Sequence, residues 1–584
     1  MKFVLTPGML VALLAGSSRA AAFSTMAKSM AAAGTRSTSR PLWTTRRHRP
    51  AFLSTRGGAL LSTIATDQEE KEATTTTTTT TKQQTASYQE LVKKWEAITH
   101  LGRAQAVLGY DQQVFMPASA SAERGAQLAA LATVLHQQRT DPKLLELMDQ
   151  AMEQEAASLQ PDELRMLELE RKAFVENARV PSELAAKAAE LSASAYSDWV
   201  KARQAKDFSM FEDTLQDCFD TAMKLAAAKQ GSSDNLYDFM LDEFEMGMSQ
   251  TRIDAIFEQV ETTLVPLIQK VLSAPNPPSM AALKGEFDIE QQQQLSDLLV
   301  KSIGFNAEQG RIDVSVHPFT SSMSPSDVRI TSRFRTDEWY QGLAGSLHEG
   351  GHAIYEQSLP ASALSIDTAL SMGTHESQSL FWERHVGLSK AFWRYATPIL
   401  HETLASTKEY SDQDIYGAIN AVSGTSLIRV EADELSYPLH VILRYNIEKD
   451  VIGGKLKVTD IPERWNSDMK RYLNVEVPSE DKGCLQDVHW SALAFGYFPT
   501  YLIGAIASAQ LYHYCQKDIP DIEQQMEKGE FGAIKQWLTD KVHRHGRRYK
   551  SLDALLEDQL GEPLNPKYFL DYLTEKYSEL YHLE

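Results

Sequence analysis

The sequence predicts a mainly α-helical body carrying one small antiparallel β-sheet. Three observations lead there. Ile253, Ile256, Val260, Leu264, Leu267 and Val271 fall on one face, the 3.6-residue period of an amphipathic helix. Period two occurs in one short island, where Ile312, Val314 and Val316 alternate with polar residues and Val328 and Ile330 do the same after a Ser/Pro-rich turn. No self-similarity at a period of about 20–50 residues is present, which disfavours a helical solenoid.

The helical stretches follow in order. One region runs from Pro161 to Lys229, a second is the Ile253–Val271 helix, and the break Ala274-Pro275-Asn276-Pro277-Pro278 ends it. Helix resumes at Gln291–Ile303, again over Asp337–Gln357, and from Ile522 to the C-terminus. Asp337 and Glu338 favour the start of the Asp337–Gln357 helix by their charge. Its apolar stripe is Trp339, Leu343, Leu347, Gly351 and Ile354.

The chain has 584 residues, with 58 Lys+Arg against 78 Asp+Glu and a net charge of −20. Such an acidic balance argues against nucleic acid as a partner, because phosphate contact needs a basic face. No apolar run reaches the roughly 18 residues of a membrane span, so no membrane anchor is expected. Three cysteines (Cys218, Cys484, Cys515) give no disulfide framework and too few thiols for a four-Cys zinc site. Any metal must therefore be held by His and carboxylates.

Residues 1–66 differ in chemistry from the rest. They contain no Asp or Glu and nine basic residues, which leaves 49 basic against 78 acidic residues beyond them, a balance of −29. Lys2 precedes an apolar run from Phe3 to Leu14 and small residues ending Ala20-Ala21-Ala22-Phe23, the form of a signal peptide with a small-residue cleavage site. An acid-poor Ser/Thr/Arg-rich segment follows, as in transit peptides. The whole resembles the two-part plastid presequence of algae with complex plastids; a mitochondrial presequence or a secretory signal has similar composition. Residues 67–87, with the homopolymer Thr74–Thr81, read as a disordered linker, and the folded body is expected over 88–584.

The chemistry concentrates at His348-Glu349-Gly350-Gly351-His352, an H-E-x-x-H motif. On a helix both imidazoles lie on one face and reach one ion, with Glu349 beside them to take a proton from water. At this composition a chance match arises in about 5% of such chains, so the motif alone decides little. A zinc hydrolase needs a third protein ligand and one open position. His375-Glu376-Ser377-Gln378-Ser379 offers it, after a helix start at Gly373-Thr374 with Thr374 as N-cap. Glu376 and His375 are rivals, since adjacent helical residues do not face the same way; spacing leaves the choice open.

These segments resemble the carboxypeptidase Taq family of metallocarboxypeptidases. Its further motifs occur in order. They are His317-Pro318-Phe319, Asp327-Val328-Arg329-Ile330-Thr331, Ile428-Arg429-Val430-Glu431-Ala432-Asp433, and Gly483-Cys484-Leu485-Gln486-Asp487-Val488-His489-Trp490. The likeness runs from about Tyr88 to the C-terminus and includes Leu236-Tyr237-Asp238, Glu245 and Gly247-Met248. Tyr110-Asp111-Gln112 stands where the family has W-D-Q, and Gly350 stands where it has a bulky residue. The resemblance implies a mostly helical fold with a deep groove, shaped like angiotensin-converting enzyme and neurolysin. It also implies a homodimer, and metal-dependent removal of single residues from peptide C-termini, with broad specificity and poor tolerance of proline. It implies His348, His352 and Glu376 as ligands and Glu349 as general base.

One divalent metal per chain is expected, zinc first, with cobalt or manganese suiting the same donors. The substrates are peptides with a free C-terminal carboxylate, which a bidentate Arg recognises best. Arg429 is the first candidate, with an Arg429–Asp433 helix pair as the plain reading; Arg329 is the second. His489 and Tyr497 are candidate partners of the oxyanion, and Tyr437 a further substrate-site residue. Asp433 and Asp487 could orient imidazoles, and the Asp313–Phe319 strand could pair with an extended peptide. Two other functions remain, an endo-oligopeptidase with the same groove and a non-catalytic helical metal-binding scaffold. Intact Glu349 argues against the scaffold.

Overall fold

The computed structural model describes residues 86–583, except 231–234, 423 and 425. The presequence at 1–66 and nearly all of the linker at 67–87 lie outside the described residues. Helix α1 (Ala86–Val114) opens the fold. Its first turn is tied down, because the Ser87 and Tyr88 N–H groups both donate to the Glu155 carboxylate at 3.2 Å.

The fold is mainly helical. The region from Pro161 to Lys229 divides into three helices, Pro161–Ala178, Ser182–Ala205 and Ser209–Gln230. Helix α2 (Gln250–Leu272) buries the whole predicted face from Ile253 to Val271. Three apolar clusters result among the described residues, the smallest of them Tyr110, Phe319 and Met323. A small one joins Tyr88, Leu91 and Trp95 to Leu144, Leu147 and Leu167. The main core reaches from Ala188 to Tyr581. No helix among the described residues is long and apolar enough to cross a membrane.

The sheet departs from expectation. It has three strands, β1 (Gly310–Val314), β2 (Thr320–Ser324) and β3 (Asp327–Ser332), in the order β1-β3-β2. β1 runs parallel to β3, with Ile312 opposite Ile330, and only β2 pairs antiparallel, with Thr320 opposite Ile330. The sheet is therefore mixed rather than antiparallel. The reason is that the Ser/Pro-rich stretch is itself partly a strand, which occupies the antiparallel edge and leaves β1 to the other side. Phe319 and Met323 anchor β2 against Tyr110 of α1. The Tyr110 hydroxyl also donates to Asp313 at 2.6 Å, so the tyrosine that replaces the family's tryptophan ties α1 to the sheet.

Four central helices are buried almost all round. They are α3 (Tyr340–Ser358), α4 (Met372–Leu380), α5 (Tyr437–Ile452) and α6 (Pro499–Asp518). α5 and α6 are largely apolar all round, as suits the middle of a large core, whereas α4 buries mostly polar side chains; these four hold most of the functional side chains.

Candidate metal centre

Helix α3 begins where the charge of Glu338 predicts, but by capping: its carboxylate accepts the N–H groups of Tyr340 and Gln341 at 2.7 and 3.0 Å. Every residue from Gly342 to Tyr355 is buried. Gly351 is required by close packing, since a Cβ there would stand 2.7 Å from Gln378 O and Ser379 Cα of α4. At Gly350 a Cβ would meet Val300 Cγ1 at 2.9 Å. Helix α4 is capped by Ser371, whose hydroxyl accepts from the Thr374 N–H at 3.0 Å. The cap is thus three residues earlier than expected, because Ser371 has the extended backbone a cap needs and Thr374 is already helical. Glu376 consequently sits on the second turn. Gly504 of α6 lets it pass, as a Cβ there would lie 2.7 Å from Glu376 Cβ and Cγ.

Three side chains converge. Glu376 Oε2 stands 3.7 Å from His348 Nε2 and 3.5 Å from His352 Nε2. All three residues are buried, and each offers a ligand atom within 4.8 Å of the others. These separations are long for hydrogen bonds. They match a shared ion: ligands bound tetrahedrally at about 2.1 Å lie about 3.4 Å from one another. Glu376 Oε1 is buried without a hydrogen-bond partner, which a buried carboxylate oxygen rarely tolerates unless a cation is near. Two imidazoles and a carboxylate are donors that suit a divalent ion, so the residues fit the group.

Around them stand further groups, of which Glu383 and Thr320 were not singled out by the sequence. His348 Nδ1 meets Glu383 Oε2 at 2.7 Å. Burial would raise the Glu383 carboxyl, and the His348 hydrogen bond holds it down. His375 is directed at the back of His352 rather than at the cluster, with the two Nδ1 atoms 2.6 Å apart. The hydroxyl of Thr320, the first residue of β2, donates to Glu349 Oε2 at 2.6 Å. Burial pushes the Glu349 carboxyl up to about 7 against the pull of His348 and Thr320; a bound cation would lower it again.

Asp433 and Asp487 do not orient these imidazoles. Asp433 caps a turn, accepting from the N–H groups of Leu435 and Ser436 at 3.0 and 2.9 Å. Asp487 lies between two guanidiniums, with Arg429 Nε at 3.0 Å and Arg444 Nε at 2.6 Å. The Arg429–Asp433 helix pair is absent, because Arg429–Glu431 is a single tight turn and not an α-helix. Burial raises the Asp487 carboxyl, yet Arg444 and Arg429 together hold it far below the usual range. Two guanidiniums thus share one buried carboxylate.

Two cavities flank the ligands. The larger, of about 730 Å³, is lined by Glu349, Arg429, Asp487, His489, His317 and Arg333, among others. The smaller, of about 470 Å³, is lined by His352, Glu376, His375, Tyr497 and Tyr501, and by β2 from Thr320 to Ser324. His489 Nε2 meets the Tyr501 hydroxyl at 3.2 Å, and burial followed by Arg429 pushes the His489 imidazole down to about 3, so it is neutral. Tyr437 is fully buried with its hydroxyl 3.5 Å from Arg429 Nη1. Tyr497 packs edge-on against Tyr501.

Arg329 is not brought to the ligands. Its guanidinium is paired with Asp327 at 2.8 Å through both Nε and Nη2, and it lies 5.3 Å over the Tyr110 ring. It lines neither cavity. Of the predicted peptide-docking strand, β1 lines neither cavity, whereas His317 and Pro318 line the larger one. The missed groups left faint signals. Glu383 lies seven residues past Glu376, in the wide turn Phe381–Val386 that continues α4, and Tyr501 belongs to the same aromatic run as Tyr497.

Residues 90–577 match the family model described as Carboxypeptidase Taq (M32) metallopeptidase. Carboxypeptidase 1 of Bacillus subtilis is 37% identical over 489 residues, covering 83% of this chain and 97% of that protein. Thermostable carboxypeptidase 1 of Pyrococcus furiosus is 35% identical over 499 residues, covering 85% and 99%. Among solved structures, the M32 carboxypeptidase of Deinococcus radiodurans R1 superimposes with a TM-score of 0.82 at 33% identity, over 85% of this chain and 99% of that one.

Proposed function

Because this chain belongs to the carboxypeptidase Taq (M32) family of metallopeptidases, we propose that it removes single residues from peptide C-termini, with Glu349 as general base. One observation carries the reading. Glu349, His489 and Arg429 all line one cavity beside the cluster of His348, His352 and Glu376. A base and a carboxylate receptor in a single cavity are what an exopeptidase requires.

His348, His352 and Glu376 would hold the divalent ion, zinc first, with cobalt or manganese compatible with the same donors. The bound ion would supply Lewis acidity to the scissile carbonyl and to a water. Glu349, steadied by Thr320, takes the proton of the attacking water at its carboxylate and delivers it to the departing amine. Neutral His489 and the hydroxyl of Tyr497 are the donors for the oxygen that becomes negative. Arg429 receives the free carboxylate; Asp487 and Arg444 fix its fork, and Tyr437 closes one side of it. The chain upstream of the scissile bond lies in the smaller cavity, along the β2 edge, as an added strand.

Broad specificity, poor tolerance of proline, a homodimer and a groove shaped like that of angiotensin-converting enzyme or neurolysin follow from the family resemblance. Plastid targeting follows from the composition of residues 1–66, and a fluorescent fusion of that segment tests it. The activity itself is tested by following release of the terminal residue before chelation, after chelation, and after adding back zinc, cobalt or manganese. Release that stops with chelation and returns with metal supports the reading. Release indifferent to both removes it.

A further inference from the structure

The two imidazoles of the motif are supported in different ways. His348 Nδ1 meets a carboxylate directly, that of Glu383. His352 Nδ1 meets a third imidazole: His375 Nδ1 is 2.6 Å away, and His375 Nε2 is 2.9 Å from Glu356 Oε1. The donors and acceptors then fix the hydrogens. An ionised carboxylate only accepts, so His375 Nε2 carries a hydrogen and donates to Glu356. A neutral imidazole with its hydrogen on Nε2 accepts at Nδ1. With His352 Nε2 on the side of Glu376 as the ligand atom, the His352 hydrogen lies on Nδ1, between the two rings, and His375 Nδ1 accepts it.

We propose that His375 is a positioning residue, which sets the tautomer and ring orientation of His352 through the chain Glu356–His375–His352 and is not itself a ligand. The proposal rests on the metal-centre reading above. The helix explains how adjacent residues do two jobs. Successive side chains on α4 point about 100° apart, so Glu376 enters the cluster while His375 reaches behind His352. The backbone contact at Gly351 holds α3 and α4 close enough for this. Unlike Glu383, His375 lines the smaller cavity, and its side chain is 16% exposed, so small molecules can reach it.

That access supplies the test. Metal-free wild type, His375→Ala and Glu356→Gln are titrated with zinc against a chromophoric chelator. Loss of the support is expected to weaken zinc binding about 10- to 100-fold in His375→Ala, and about tenfold in Glu356→Gln. One-to-one binding persists at saturation, and circular dichroism of the metal-free forms is unchanged. Added imidazole, entering the space left in His375→Ala, restores most of the affinity. Unchanged affinity in His375→Ala overturns the proposal, and so does weakened affinity that imidazole fails to restore, which would mean lost packing. Retention of stoichiometric zinc by Glu376→Gln but not by His375→Ala would make His375 the ligand and also overturns it. If His375→Ala does not fold, Glu356→Gln decides alone: weakened affinity supports the proposal and unchanged affinity overturns it. Wild type that binds no zinc would sink the metal-centre reading, and this proposal with it.

Discussion

The two flanks of the ligand cluster differ in chemistry. On one side the larger cavity ends in Arg429, where two guanidiniums share the single carboxylate of Asp487. On the other side the smaller cavity runs along β2, an edge strand with hydroxyls at Thr320, Ser322 and Ser324. A guanidinium fork suits a chain terminus, whose carboxylate it can bind through both oxygens. A free strand edge suits a chain interior, which offers repeating N–H and C=O groups. This asymmetry separates an exopeptidase from an endopeptidase with the same ligands.

The largest effect expected is from Glu349→Gln, which keeps the shape and removes the proposed base. The turnover number should fall about 10²- to 10⁴-fold, with zinc content unchanged by metal analysis. Next comes Arg429→Lys, which keeps the charge but loses the fork. It should lower kcat/KM about 10- to 100-fold on peptides with a free C-terminus and do little to amidated ones, sharpening the contrast between the flanks. Thr320→Val removes the hydroxyl that steadies Glu349; a lost hydrogen bond to a charged group, about 1.5–3 kcal/mol, corresponds to roughly a tenfold or greater fall in kcat. The smallest effect is expected at Arg329→Ala. Because its partner Asp327 is on the solvent side of the sheet and such pairs contribute about 0–1 kcal/mol, steady-state kinetics should stay within about twofold.

Much of this arrangement was legible in the sequence, for definite reasons. The α2 face and the α3 stripe obey helical periodicity, so the period locates both. His348 and His352 are four residues apart, and a helix must bring them together. Sequence spacing failed where a residue's partner came from elsewhere in the fold. Thr320-Ser321-Ser322-Met323-Ser324 has little apolar alternation, and β2 exists because it pairs with β3 and because Phe319 and Met323 pack on Tyr110. Glu383 lies in the wide turn Phe381–Val386, where the helix loosens and a regular helical wheel misplaces it. Arg429 faces Asp433 on an ideal helix, but one tight turn sends it to Asp487, fifty-eight residues on. The choice between His375 and Glu376 could not be made from adjacency alone and needed α6, whose Gly504 makes room for Glu376.

The measurement that bears most directly on the central claim compares one peptide with a free and with an amidated C-terminus, assayed on the metal-loaded enzyme. The proposed carboxylate-binding role of Arg429 predicts rapid release of the last residue from the acid and a rate at least about 100-fold lower for the amide. Equal rates for the two, or cleavage at internal bonds of both, would contradict the account and favour an endo-oligopeptidase.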